Sequence, residues 1–572
     1  MLILMLLNIL ILISCQDYDK SVKITPYSFE NNFMTKKNLS RSEIIAKLKT
    51  EKFDILIIGG GATGAGALLE ASSRGLKAAL IEQSDFASET SSRSTKLIHG
   101  GVRYLENAVK KLDLKEYELV RDALSERQYF LQNAPHLSNP LAIITPVYSW
   151  FDAIYYWMGL KTYDFVAGKA SFGKSEFLSY KETISLFPKI NKENLKGSVR
   201  YYDGQFNDAR MNLALILTAF DEGGLALNYA QVTSLIKEQK IITSALVKDM
   251  VTDENFIIKA KVVINATGVF ADSIRQMDDA AAHKLIEVSQ GSHILLPPNL
   301  VPKNTGLIIP KTKDGRVLFL LPWLNKTLVG TTDEKAEIIQ NPHATQAEID
   351  YILEHVSQIL DQKIAPEQVL ASFSGLRPLV KPSEHISNTA SISRDHFIEV
   401  SNSNLITIVG GKWTTYRKMG EDVINQVIKT VNLLPKNNSV TKDLKLVGAK
   451  FYDPSLKYKD LDKDIILHLN NNYGDHANSV INIDNKTKLT RIISNYPFIE
   501  AEIIYAIRYE YAITALDIIL RRIRLGILDT NSAIESLSKI TEIMAEELKW
   551  SSEKTNQELS NSLLFLQELN YR

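Results

Sequence analysis

Apolar residues recur along this chain with two periods, and the switches between them mark its elements. An unbroken, β-branched run over 53–58 (FDILII) predicts a buried strand. Small and aliphatic residues over 65–74 then predict a helix, which Gly75 ends. A second apolar run over 78–81 predicts another buried strand. Further on, Leu114, Tyr117, Val120, Leu124 and Tyr129 fall at helical spacing among charges, so 113–133 predicts a helix. A helix over 212–222 leads to a strand-like stretch at 226–236, and 262–268 and 405–409 predict buried strands. The alternation at 317–321 and 327–330 suits an antiparallel sheet. From about residue 431 the chain turns rich in Lys, Asn and Asp, and then helical.

One stretch fits no simple stripe. Residues 146–168 interleave aromatic and aliphatic side chains with few charges. Two readings stand: a helix inside the core, or a surface helix. In the second, Trp150, Tyr155, Tyr156 and Trp157 sit at a membrane interface, where amphipathic rings are favoured.

Composition narrows the class. A chain of 572 residues holds two or three domains. Lys+Arg and Asp+Glu both number 66, so nothing argues for nucleic acid, which calls for a basic face. Cys15 is the sole cysteine, which excludes an internal disulfide and a two-cysteine metal site; no metal is expected. The apolar 1–13 followed by Leu12-Ile13-Ser14-Cys15 admits three readings. These are a lipoprotein signal anchored at Cys15, a short membrane anchor, and an upstream start with Met34 the true one. No Lys or Arg precedes the run, and it is short for a transmembrane helix.

The candidate chemistry gathers at two glycine-rich junctions. Gly59-x-Gly61-x-x-Gly64 lies between the first predicted strand and helix, and Glu82 ends the second strand 18 positions past Gly64. That is the dinucleotide fingerprint in its required context. The glycines permit a tight turn and close backbone approach, the helix N-terminus offers N–H groups to phosphates, and Glu82 accepts from ribose hydroxyls. Ser91, Ser92 and Ser94 follow in a polar loop and can donate to a cofactor. Residues 96–104 place Lys96, His99, Gly100, Gly101, Arg103 and Tyr104 together, with glycines where a flat ring could approach. Ala266-Thr267-Gly268 ends a strand, and Gly410-Gly411-Lys412-Trp413-Thr414 repeats the strand, glycine and helix logic.

The run TSSRSTKLIHGGVRYLE at 90–106 resembles the signature of FAD-dependent glycerol-3-phosphate dehydrogenases. YYDGQFNDAR at 201–210 is similar to their mitochondrial-type branch. So in order are Gly291-Ser292-His293, Phe319–Trp323, Gly330–Asp333, Ser374–Leu379, Ser391–His396, Gly410–Arg417 and two C-terminal helical segments near 507–526. The resemblance implies an α/β fold: an FAD-binding Rossmann-like domain of the glutathione-reductase/D-amino-acid-oxidase type, an antiparallel-sheet substrate domain and a C-terminal helical domain. The expected boundaries are a leader at 1–50, an FAD domain at 51–110, 230–290 and 365–428, a substrate domain at 111–229 and 291–364, and a helical domain at 429–572. One FAD bridging both glycine junctions accounts for them better than NAD does.

The resemblance implies oxidation of glycerol 3-phosphate to dihydroxyacetone phosphate, with electrons passed to a membrane quinone. His99 is the expected base, with Arg377 and Lys412 also catalytic. Arg103, Tyr104, Arg377, Arg394 and Lys412 are expected to bind the phosphorylated substrate. Gly59, Gly61, Gly64, Glu82, Ser91, Ser92, Lys96, Gly268, Gly410, Gly411 and Thr414 are expected to hold the cofactor. The expected partners are glycerol 3-phosphate, a quinone and a membrane surface, and the resemblance allows a homodimer. The expected location is the cytoplasmic face of a bacterial inner membrane, with a Cys15 lipoprotein or the mitochondrial inner membrane as alternatives. A glycerol-phosphate oxidase using oxygen, or an amino-acid or amine oxidase of the same superfamily, remains open at this point.

Overall fold

A computed structural model describes residues 39–101, 114–168, 171–310, 312, 315–381, 396–455, 457–458, 461–483 and 489–569. The apolar N-terminus, Cys15 and Met34 lie outside them.

The βαβ expectation holds. Lys52–Ile58 pairs in parallel with Ala78–Ile81 on one side and with Asn255–Asn265 on the other. Leu405–Gly410 and Leu225–Leu227 extend the parallel core, and His396–Val400 closes one edge. Covered on both faces, these strands need no polar side, which is why they read as continuous apolar runs. The strand-like stretch near 226–236 is two strands, Leu225–Leu227 and Ala230–Glu238; the second forms a hairpin with Ile241–Asp249.

A second sheet of ten strands holds the long ladders of Ile286–Leu296 with Ala371–Val380 and of Ser138–Val147 with Gly197–Phe206. It is antiparallel except where Thr305–Ile309 runs parallel to Ser138–Val147. Leu97–Ile98 joins its edge, so the stretch after the phosphate loop passes from one sheet to the other. Against this sheet packs the C-terminal unit: Ile503, Ile519, Leu525, Ile540 and Leu566 share one core with Leu321, Leu328, Ala371 and Phe373.

Helix Ala62–Ser73 lies on the first sheet beside Tyr416–Val431 and Asp208–Asp221. Two glycines set the first of these contacts. A Cβ on Gly66 would meet the Tyr416 carbonyl at 2.9 Å, and one on Gly420 would meet the Gly66 carbonyl at 2.7 Å. The second glycine junction is thereby held against the first.

The aromatic stretch is a surface helix, Trp150–Ala167, capped by Ser149. Ala153, Leu160, Tyr163 and Ala167 face inward. Outward stand Trp150, Ile154, Tyr155, Trp157, Met158, Phe151 (79% exposed) and Phe165 (67%). Among the described residues no helix is long and apolar enough to cross a membrane.

The glycine contacts separate two outcomes. Gly420→Val drives a branched side chain into the Gly66 backbone and should cost about 2–3 kcal/mol in urea unfolding. Gly159→Ala, where a Cβ meets nothing within 4 Å, should instead stabilise by about 0.5–1 kcal/mol. Equal effects would show that the two helices are not in backbone contact.

Candidate active site

The first junction is built from backbone. Gly59 has φ +107°, and a Cβ there would meet the Ala266 carbonyl at 2.6 Å. A Cβ on Gly64 would come within 1.9 Å of the Gly59 carbonyl. Gly61 starts the helix without a side-chain cap, and Ala62 N–H donates to Ser91 Oγ at 2.9 Å. Glu82 braces the turn: Oε2 accepts from Gly60 N–H at 2.6 Å and Oε1 from Ser84 N–H at 2.9 Å. Burial raises its carboxyl to about 6, against the pull of those two N–H groups. A side-chain-free cradle at a helix N-terminus, with an acid at the end of the next strand, fits a dinucleotide.

Gly268 follows the neighbouring strand in a turn with open space beside it. Nothing lies within 4 Å of a Cβ built there, and its φ is +58°. The close packing falls on Ala266 and Thr267, which Gly59 approaches, so Gly268 serves the turn.

The stretch 90–101 is the hinge of the site. Ser91 meets both junctions: its Oγ accepts from Ala62 N–H, and its carbonyl accepts from Trp413 Nε1 at 2.9 Å. Ser92 is tied inward, its carbonyl accepting from Lys96 Nζ and Arg524. Lys96 corrects the expectation of a cofactor ligand. It is fully buried, and its ammonium donates to the Ser92 and Ser94 carbonyls and to Asp208 Oδ2 at 2.6 Å. Three acceptors use its three protons, so it braces the loop. Burial pulls it down to about 7, against the attraction of Asp208.

Gly100 is a second correction, because the space on its Cβ side is already filled by protein. A Cβ would meet Leu124 at 2.4 Å and the Tyr163 hydroxyl at 2.5 Å. Gly100 N–H donates to that hydroxyl at 2.8 Å, and Tyr163 donates onward to Asp203 at 2.8 Å, where Arg127 also pairs at 2.6 Å. His99, half-buried, is thus fixed through its neighbour, and its own carbonyl accepts from Thr414 Oγ1 at 3.4 Å. Arg103, Tyr104 and Arg394 lie outside the described residues.

The second junction reads as expected. Gly410 and Gly411 follow one another at φ +79° and +72°, and a Cβ on Gly411 would meet Met419 Sδ at 2.5 Å. Lys412 caps the short turn Trp413–Thr415, which runs into Tyr416–Val431.

Arg377 projects from the second sheet, about a third exposed. Nη1 donates to Asp333 at 2.9 Å and more weakly to Ser289 and the Gln290 carbonyl, while Nη2 donates to Thr331 Oγ1 and the Thr332 carbonyl, both at 3.0 Å. Gly291 makes room for it, since a Cβ there would sit 2.1 Å from Nη2. The strand bearing Arg377 abuts the hinge: Thr90 Oγ1 donates to the Leu376 carbonyl at 2.7 Å. Sequence reasoning assigned His293 no role. It is buried, stacked on Phe373 at 4.9 Å and bonded to Thr95 Oγ1 at 2.9 Å. Burial, then Lys96 and Arg377, hold it well below the ordinary histidine range, so it is neutral. Its signal was its place in Gly291-Ser292-His293, directly opposite Gly330.

Two family models match the chain: an FAD dependent oxidoreductase model over residues 54–417, and the C-terminal domain of alpha-glycerophosphate oxidase over 439–555. The mitochondrial glycerol-3-phosphate dehydrogenase of Rattus norvegicus is 44% identical over 97% of this chain and 77% of its own length. The probable mitochondrial enzyme of Dictyostelium discoideum is 45% identical over 90% and 84%. Among solved structures, the glycerol-3-phosphate dehydrogenase from Bacillus halodurans complexed with FAD superposes with TM-score 0.75 at 28% identity, covering 92% of this chain and 97% of that one. A chain with both domains in sequence, a bridged pair of glycine junctions and this depth of likeness belongs to the FAD-dependent glycerol-3-phosphate dehydrogenase family.

Proposed function

We propose that the chain oxidises sn-glycerol 3-phosphate at C2 to dihydroxyacetone phosphate and passes the electrons to a membrane quinone. The observation that carries this reading is the meeting of the two junctions. Ser91 joins Ala62 to Trp413, and Thr414 reaches the carbonyl of His99, so one extended dinucleotide serves both. When bound, FAD accepts the hydride from C2.

The protein's own residues do the rest. Gly59–Gly61 and the start of helix Ala62–Ser73 receive the diphosphate, and Glu82 accepts from the ribose. Amides at Gly410–Thr414 would hold the flavin ring and favour negative charge on it. His99 takes the C2 hydroxyl proton, because an imidazole titrates near working pH. Arg377 and Lys412, with Arg103, Tyr104 and Arg394, supply the cations and donor for the phosphate and the developing alkoxide. Asp333, Thr331 and the Thr332 carbonyl orient Arg377 before substrate arrives, so little side-chain freedom remains to be lost on binding.

The exposed aromatic face of Trp150–Ala167 is the membrane-facing surface in this reading, lying on the bilayer without spanning it. The names of the mitochondrial relatives favour the mitochondrial inner membrane over the bacterial one.

The central test is anaerobic mixing with glycerol 3-phosphate, which should bleach the flavin; a soluble quinone should restore it faster than oxygen does. Faster recovery with oxygen, with peroxide released, selects the oxidase. His99→Asn should slow flavin reduction by roughly 10²–10⁴-fold. Arg377→Lys should weaken substrate binding by roughly ten- to a hundred-fold with flavin retained. An unchanged reduction rate in the first, or a colourless protein in the second, would remove the assigned role.

A pH dependence follows from Glu82. Ionised, it accepts with both oxygens; protonated, one oxygen becomes a donor and the charge that strengthens these bonds is lost, and its raised value is about 6. Flavin affinity should therefore be full above that pH and fall as pH drops through it, while Glu82→Gln should bind weakly with a flat profile. Flavin fluorescence on titration measures both.

For the surface helix, the triple variant Trp150→Ser, Phe151→Ser and Phe165→Ser should lower affinity for phosphatidylcholine–cardiolipin vesicles by about ten-fold or more. Reduction of a water-soluble acceptor should stay at its original rate. Undiminished co-sedimentation with vesicles would place the membrane contact elsewhere.

A further inference from the structure

We propose that Arg521, Arg522 and Arg524 of the C-terminal unit are positioning residues for the flavin, so that cofactor binding and docking of that unit form one coupled equilibrium. This rests on the reading that Gly59–Gly61, Glu82 and Ser91 hold FAD. The three arginines are buried, and each reaches back more than 300 residues to the loop behind the phosphate cradle.

Asp85 is the first anchor, fully buried three residues past Glu82. Arg522 holds it with both Nη atoms, Nη1 to Oδ2 at 2.7 Å and Nη2 to Oδ1 at 3.1 Å, and Arg521 Nε adds a bond to Oδ2 at 2.6 Å. The two guanidinium groups keep this carboxyl at about 2 despite its burial. Asp208 is the second anchor. Arg524 Nη2 donates to its Oδ1 at 2.9 Å and to the Ser92 carbonyl at 2.8 Å. Ser92 follows Ser91, which touches both glycine junctions. The stretch 82–92 therefore has one side on the cradle, through Glu82 and Ser91, and the other on the C-terminal unit, through Asp85 and Ser92.

The packing makes the two sides interdependent. Ala87 N–H and Asn212 Nδ2 both donate to the Gly60 carbonyl, at 3.2 and 2.9 Å, so the loop and helix Asp208–Asp221 rest directly on the cradle's own backbone. A buried charge left unpaired is costly, so the loop cannot leave one partner without disturbing the other. Burial, reinforced by neighbouring Arg521 and Arg93, also pulls Arg524 down to about 10, against Asp208.

Hydrogen–deuterium exchange on the full chain tests this, comparing flavin-loaded protein with protein stripped by chaotropic salt and then resupplied with FAD. FAD should slow exchange by about ten-fold or more in peptides covering 58–92 and also in those covering 517–528. Arg524→Met should raise the FAD dissociation constant about ten-fold or more and cancel the protection at 517–528. Arg524→Lys should recover part of both. Arg508→Met, which alters a surface pair with Glu547, should leave the constant unchanged. Protection at 58–92 with none at 517–528 would overturn the coupling while leaving the cofactor site intact. Protection at neither would overturn the site assignment and the coupling with it. Should Arg524→Met not fold, exchange in the unmutated chain still decides.

Discussion

The site depends on backbone standing where side chains would ordinarily be. At the first junction, helix Ala62–Ser73 reaches the strand ends only because Gly64 can lie against the carbonyl of Gly59. At the second, Gly66 and Gly420 let two helices touch through their main chains. Those approaches bring two local motifs together, joined by the hydrogen bonds of Ser91 to both and by Thr414 on the backbone of His99. The buried charges of Asp85, Lys96, Asp208 and Arg524 lie behind the loop that joins them.

Local features were legible in the sequence, and long-range ones were not. The strand, glycine loop, helix, strand and acid from Phe53 to Glu82 follow from periodicity and spacing alone, and the structure places their ends within three residues, the helix starting at Ala62 instead of residue 65. Lys96 misled because a lysine beside a cofactor motif looks available, while its partner Asp208 lies 112 residues away. Gly100 misled for the same reason: Tyr163, the group that needs its space, belongs to a distant helix. Asp208 opens a helix, where an acid is a common cap. Asn207 instead accepts from Arg210 N–H, which leaves Asp208 free to gather Ser94, Lys96 and Arg524. Arg210 does brace a carboxylate as its chemistry suggests, that of Glu510 at 2.7 Å.

Buried ion pairs recur around this core, and their value is directional more than energetic. Desolvation offsets much of the attraction in pairs such as Arg210–Glu510 or Arg127–Asp203. An aspartate that must meet two guanidinium groups at fixed angles, however, admits few alternative packings. The same holds at Arg377, whose acceptors at Ser289, Gln290, Thr331, Thr332 and Asp333 come from the neighbouring strand Ile286–Leu296 and from the segment that follows Lys326–Gly330. Orientation is thus distributed over elements far apart in the chain.

The filled space beside Gly100 has a bearing on how this protein can change. No residue with a side chain fits there without displacing Leu124 and the Tyr163 hydroxyl, so natural drift and deliberate engineering meet the same wall next to the imidazole. The edge around Asp333 and Thr331 is more open to solvent, though both hold Arg377 in place. Change beside His99 is therefore confined to directions that leave the space around Gly100 filled as it is.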